Sequence, residues 1–168
     1  MRIGIFGGTF DPIHHGHLIM ASYAYEKMKL DKVYFMPAGN QPLKEGESPF
    51  YQRLEMIKLS IENDSRMSYT DIENSSEPSY TYNTILKLKG IYDDELFFIM
   101  GADSFESIER WYKYKDLLKE VKIIVVDRLG SSNLYYLQDK YKDIAKEINI
   151  LKCPIIEISS TEIRNKVK

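Results

Sequence analysis

Residues 1–18 read MRIGIFGGTFDPIHHGHL, and this opening sets the architecture. The run RIGIFG, residues 2–7, is short and apolar in the manner of a buried strand. Gly7 and Gly8 fall where that strand must turn, and glycine there permits unusual backbone angles and close approach of a ligand. Beyond the histidines, Leu18, Ala21, Tyr25 and Met28 recur at three- and four-residue steps. That spacing predicts a helix beginning near Gly16 with this face buried.

The same alternation runs outward along the chain. KVYFMP (32–37) predicts a second buried strand, ended by Pro37 and the polar loop AGNQPLKEGES (38–48). Ser48 and Pro49 suit the N-cap and first turn of a helix carrying Leu54, Ile57 and Ile61. MSYTDI (67–72) is a strand candidate, and SYTYNTILKLKG (79–90) a helix closed by Gly90. ELFFIM (95–100) and KIIVVD (122–127) are the continuous apolar runs of central parallel strands. Between them, Asp103 and Glu106 have capping-box spacing for a short helix. Tyr135 to Ile148 reads as a helix, PIIEI (154–158) as the last strand and SSTEIRNKV (159–167) as the final helix. The expected fold is therefore α/β, a doubly wound, Rossmann-like parallel sheet with helices on both faces. One domain over residues 1–168 is expected, with its ligand at the carboxyl ends of the strands.

Composition narrows the function classes. Hydrophobic residues make up 43% and charged residues 29%, a globular balance with no apolar run long enough to span a bilayer. No secretory signal is recognisable, which predicts a cytoplasmic protein with no membrane partner. Lys and Arg number 23 against 25 Asp and Glu, so the overall charge gives no reason to expect a nucleic-acid partner, and any anion site must be local. Cys153 is the single cysteine, without an internal disulfide partner or metal-ligand spacing, and reads as a small core residue. Oligomeric state is not written in the sequence; a homo-oligomer is compatible with it.

The chemistry-bearing residues gather at the first strand end. The glycine pair has phosphate-site character, yet neither the G-x-G-x-x-G dinucleotide fingerprint nor the P-loop lysine is present. All three histidines lie in HHGH, residues 14–17, at an expected helix N-terminus, where free N–H groups and the macrodipole favour anions. His14 and His17 beside Gly7, Gly8 and Thr9 read as a polyphosphate cradle. A zinc site is the weaker alternative, because no cysteine supports the pair and only Asp11 or Asp103 offers a third ligand. No role is assigned to His15.

GGTFDPIHHGHL resembles the signature of the nucleotidyltransferase superfamily with the HxGH motif, carried here by His14, Gly16 and His17. ISSTEIR (158–164) resembles its second motif, with Ile158, Ser159, Ser160, Thr161 and Arg164. Ser159 and Glu162 also have capping-box spacing, and Arg164 one turn on can lean toward the same anion. The resemblance implies that the first and last parts of the chain are neighbours in the sheet, so that the two motifs converge on one ATP. Gly7, Gly8, Thr9, Phe10, Gly101 and Asp103 complete the implied ATP site, with Asp103 open between capping its helix and holding a ribose hydroxyl or water.

Three further stretches, MPAGNQPLK (36–44), PSYTYNT (78–84) and GADSFESIERWYKYKDLL (101–118), resemble bacterial nicotinate mononucleotide adenylyltransferases. The resemblance implies transfer of AMP from ATP to nicotinate mononucleotide with release of pyrophosphate, and Mg2+ bound with ATP rather than held by protein ligands. Trp111 would stack on the nicotinate ring, the backbone near Tyr112 and the Thr84 region would receive its carboxylate, Thr81 would belong to the same acceptor site, and Lys44 would sit near the acceptor phosphate. The chain departs from the family where Leu43 precedes Lys44 in place of a histidine, and it stops at Lys168 where relatives continue into a helical tail, so that a short tail is expected to be missing. Two alternatives stay open: another acceptor, phosphopantetheine or nicotinamide mononucleotide, and a nucleotide-binding module without turnover.

Overall fold

The computed structural model describes residues 1–39, 47–75, 77–128, 130, 133–153 and 160–166, with only the backbone described at 160–162. The chain runs through β1 (Arg2–Gly8), α1 (His15–Lys27), β2 (Lys32–Pro37), α2 (Phe50–Ile61), β3 (Met67–Tyr69) and α3 (Thr81–Ile91). It continues through β4 (Glu95–Gly101), α4 (Ala102–Glu106), a 3-10 turn (Ile108–Arg110), α5 (Tyr114–Glu120), β5 (Lys122–Asp127), α6 (Asn133–Tyr141), β6 (Ile148–Lys152) and α7 (Ser160–Lys166).

The six strands form one sheet in the order β3-β2-β1-β4-β5-β6, and every pairing is parallel. The order reverses direction at β1 and β4, which leaves a crevice outside their carboxyl ends. Burial on both faces follows from the strand period of two. On β4, Leu96, Phe98 and Met100 face one core with Ile85 and Leu88 of α3 and Leu117 of α5. Phe97 and Ile99 face the opposite core with Met20, Ala21 and Ala24 of α1 and Ile57 of α2. The doubly wound sheet expected from the alternation is the one observed, and no helix among the described residues is long and apolar enough to cross a membrane.

Several local expectations are corrected. The helix expected to run to Ile148 ends at Tyr141, and Ile148–Lys152 is a strand beside β5. The turn between them is tied down by its backbone, Lys146 N–H to Leu118 O at 2.8 Å and Ile123 N–H to Glu147 O at 2.9 Å. Those bonds to α5 and β5 outweigh the helical composition of the segment. PIIEI lies outside the described residues. Strand β3 stops at Tyr69, because Thr70 N–H closes the ladder on Phe35 O and the chain then turns. Gly90 lies inside α3, which continues to Ile91.

Two caps are also placed differently. Pro49 is the N-cap of α2 with no side-chain cap bond, and Ser48 instead donates its N–H to Asp11 Oδ2 at 2.9 Å. Gly101 is the N-cap of α4, with no side-chain cap, so Asp103 and Glu106 form no capping box. Nor are the first and last strands neighbours: β4 and β5 separate β1 from β6. The ends converge through α7, whose Arg164 Nη1 donates to Asp11 O at 2.5 Å.

Candidate functional site

Two adjoining cavities open at the carboxyl ends of the strands and share Gly7, Gly8, Thr9 and Ser104 as a common wall. The smaller, about 280 Å³, is lined by Phe10, His17, Gly101, Asp103, Arg128 and Arg164, among others. The larger, about 610 Å³, is lined by Glu73, Tyr80, Thr81, Arg110, Trp111 and Tyr112, among others. The glycine pair is what lets the wall be thin. A Cβ at Gly7 would lie 2.6 Å from Phe98 Cζ.

The histidines form a reciprocal cap on α1. Gly16 N–H donates to His14 Nδ1 at 3.0 Å, and His14 N–H donates to His17 Nδ1 at 3.1 Å. His17 N–H is also used, on His14 O at 3.0 Å. The helix start therefore offers fewer free backbone donors than the sequence suggests, and the rings replace them. An accepting Nδ1 carries no proton, so each neutral imidazole bears its hydrogen on Nε2 as a donor. The rings stack with centroids 3.8 Å apart. Phe10, held at φ 51°, packs edge-on against His17 with centroids 5.0 Å apart. Burial, then His14 and Arg128, push the His17 pKa down to about 3. Burial, then Arg128 and His15, also lower that of His14. Both are uncharged donors at neutral pH.

Of the expected ATP-side residues, Gly7, Gly8, Thr9, Phe10, His17, Gly101, Asp103 and Arg164 line the smaller cavity. His14 and Gly16 lie behind it, with Gly16 necessary because a Cβ there would sit 2.7 Å from His14 Cε1. Ile158 and Ser159 are outside the described residues, as are the side chains of Ser160 and Thr161. Arg128 was not foreseen, although an arginine directly after the apolar strand 122–127 was a usable signal.

On the other side, Thr81, Trp111 and Tyr112 line the larger cavity, and Trp111 sets its ring edge-on to Phe98 with centroids 6.3 Å apart. Thr84 is buried behind the wall. Its hydroxyl donates to Glu73 Oε2 at 2.7 Å and its N–H to Tyr80 O at 3.1 Å, so it has no donor left for a ligand. The groups without an intrahelical partner are the N–H of Thr81, Tyr82 and Asn83 in the first turn of α3. Lys44 and Leu43 lie outside the described residues.

Three residues missed in the sequence hold the site together or extend it. Arg53 is buried and donates to Thr9 O at 3.0 Å, Ala38 O at 2.7 Å and Ser48 O at 2.9 Å, joining the segments after β1, after β2 and before α2. The signal was its place at four- and eight-residue steps from Ile57 and Ile61. Burial would raise the Asp11 carboxyl, but the Ser48 bond and the charges of Arg164 and Arg53 outweigh it and hold it below its usual value. Glu73 accepts from Gly39 N–H at 3.3 Å as well as from Thr84, and burial raises its carboxyl pKa against those bonds and Lys87. Arg110 adds a cation to the larger cavity.

Residues 5–166 match the cytidylyltransferase-like family. Over 172 residues the chain is 43% identical to a Clostridium botulinum (Eklund 17B) protein named probable nicotinate-nucleotide adenylyltransferase, covering 99% of this chain and 86% of that one. It is 39% identical over 171 residues to the nicotinate-nucleotide adenylyltransferase of Bacillus subtilis strain 168, again covering 99% and 86%. Among solved structures, the Plasmodium falciparum nicotinic acid mononucleotide adenylyltransferase complexed with NaAD superposes with a TM-score of 0.82 over 98% of this chain and 82% of that one, at 22% identity. The latter likeness shows the fold alone.

Proposed function

The chain belongs to the cytidylyltransferase-like family and, within it, to the nicotinate-nucleotide adenylyltransferases, and from that premise we propose that it transfers AMP from ATP to nicotinate mononucleotide, giving nicotinate adenine dinucleotide and pyrophosphate. The observation that carries this reading is the pair of cavities meeting at Gly7, Gly8 and Thr9. Two nucleotides bound side by side there bring a phosphate of one against the α-phosphate of the other.

The acceptor phosphate is an anionic nucleophile at neutral pH, so the reaction calls for alignment and charge stabilisation rather than a general base. On the ATP side, His17 offers a neutral Nε2–H donor, backed by His14. Arg128 and Arg164 supply positive charge, and Arg164 is placed to stabilise the leaving pyrophosphate. Asp103 on the first turn of α4 serves a ribose hydroxyl or bound water. On the other side, Trp111 gives the pyridine ring an aromatic face, and the nicotinate carboxylate is received by the first-turn N–H groups of α3 at Thr81 and by the backbone beside Tyr112. Lys44 is assigned to the acceptor phosphate by family resemblance.

The side-chain donors on the ATP side are mostly imidazole N–H and guanidinium, which suit phosphate oxygens rather than a cation. Mg2+ fits this set as a companion of ATP, with Asp103 of the cavity lining a carboxylate able to hold its water, and when bound it would neutralise phosphate charge. The cytoplasm is the proposed place of action.

The test is pyrophosphate release from Mg-ATP with nicotinate mononucleotide, nicotinamide mononucleotide or phosphopantetheine. Preferred turnover with the nicotinate acceptor is expected. Turnover with phosphopantetheine alone would refute the acceptor, and ATP binding without turnover would refute the activity.

A further inference from the structure

The segment that presents Trp111 and Tyr112 is anchored from outside the cavity. Glu109, in the 3-10 turn just before it, accepts a hydrogen bond from the Tyr141 hydroxyl at the end of α6 and another from Lys140 Nζ at 2.8 Å. Tyr114, the first residue of α5 just after it, has its hydroxyl 3.3 Å from that same Tyr141 hydroxyl. The Tyr114 and Tyr141 rings meet edge to face, with centroids 5.7 Å apart at 79°. Since Tyr141 gives its only hydroxyl proton to Glu109, Tyr114 is the donor of the second bond. Residues on both sides of 110–113 thus converge on one phenol oxygen.

The enclosed residues have little regular backbone to fix them. Trp111 closes the 3-10 turn on Ile108 O at 3.0 Å, and Lys113 then reverses the chain in the left-handed region at φ 51°. Tyr112 is 45% exposed, whereas Tyr141 is 5% exposed and packed in the core. A turn of this kind takes its position from its ends, and a binding surface left loose must be ordered when the ligand arrives, which weakens binding.

We propose that Tyr141 is a positioning residue for the acceptor: by engaging Glu109 and Tyr114 together, its hydroxyl fixes the turn that holds Arg110, Trp111 and Tyr112 against the larger cavity, although Tyr141 does not line that cavity. The inference rests on the reading of that cavity as the acceptor site. The protonation states favour the network. Burial, then Glu109 and Tyr114, raise the Tyr141 phenol pKa and keep it a donor, while Lys140 and then Tyr141 lower that of Glu109 and keep it an acceptor.

Tyr141→Phe removes the hydroxyl and keeps the ring in the core. The expected result is a KM for nicotinate mononucleotide raised roughly tenfold, the scale of one lost hydrogen bond to a charged group. The KM for ATP and kcat at saturating acceptor should stay within about twofold, because the ATP side is untouched. Trp111 is the sole tryptophan, so its fluorescence anisotropy in the ligand-free protein should fall in the variant. Glu109→Gln keeps an acceptor for Tyr141, loses the ion pair to Lys140, and should stay near wild type in both readouts. An unchanged acceptor KM would overturn the proposal, as would equal losses for both substrates with a lower Tm, or a Glu109→Gln variant as impaired as Tyr141→Phe. Wild-type protein that releases pyrophosphate with another acceptor but not with nicotinate mononucleotide would overturn the acceptor reading and this role with it. Unchanged anisotropy with normal turnover would overturn the anchoring alone.

Discussion

The two nitrogens of His17 do separate jobs, and single substitutions can divide them. Nδ1 closes the cap on α1 by accepting from His14 N–H at 3.1 Å, while Nε2–H is the donor left to a ring that lines the cavity proposed for ATP. An asparagine side chain places an acceptor where Nδ1 was and nothing where Nε2 was; a glutamine does the reverse. His17→Asn should therefore keep the cap and lose the phosphate donor. A donor aimed at developing charge is worth about 10²–10³ in kcat, or roughly 2.7–4 kcal/mol, and a cap about 0.5–2 kcal/mol. His17→Asn should drop kcat by about 10²-fold or more with little change in the acceptor KM. Its Tm should stay close to wild type. His17→Gln should lose about 1 kcal/mol of stability, or about 2–4 °C in Tm for a chain of this size, and keep more of its kcat. Pyrophosphate release at saturating substrates and thermal unfolding read the two effects. Wild-type kcat in His17→Asn would refute the phosphate role, and equal destabilisation of Asn and Ala variants would refute the capping role.

Trp111→Ala should raise the acceptor KM about 3- to 10-fold, the scale of one aromatic stacking contact; steady-state kinetics with each substrate varied check this, and equal loss for ATP would mean that Trp111 only packs on Phe98. Arg53→Met deprives the carbonyls of Thr9, Ala38 and Ser48 of their shared donor, and should cost roughly 3 kcal/mol of stability together with kcat. Chemical denaturation measures the first, and an unchanged midpoint would show that water replaces the guanidinium. The His17 pKa, about 3 against an ordinary 6.5, means that the unfolded chain binds more protons across that window. Its contribution to stability is full above about pH 6.5 and is lost as pH falls toward about 3, at up to roughly 1.4 kcal/mol per pH unit. Comparing denaturation of wild type and His17→Asn from pH 7 to pH 4 isolates that term, and parallel curves would contradict it.

The alternation of apolar runs with helical spacings was enough to predict a doubly wound sheet, because strand and helix periods are local properties of the chain. The glycine pair and HHGH marked the strand end at which a ligand would sit, and residues 101–118 marked its neighbour. Caps were less legible. Ser48, Asp103 and Gly90 have the right chemistry for helix ends, yet Ser48 is drawn to Asp11, and the ends of α3 and α4 are set by the backbone around them. The strand at Ile148–Lys152 was hidden for a related reason, since its short run gains its ladder hydrogen bonds from β5, which is distant in sequence.

By itself, then, the sequence determined the fold class and the family and pointed to the end of β1 as the place for a ligand, each of which depends on spacing along the chain. The tertiary structure decided what depends on distances through space. It placed His14 behind His17 and turned both Nε2–H groups into donors. It sent Thr84 to Glu73 rather than to a ligand, buried Arg53 among three carbonyls, and brought Arg164 to Asp11 across five intervening strands' worth of chain. Hydrogen-bonding groups choose partners by proximity after folding, and sequence separation does not encode that proximity.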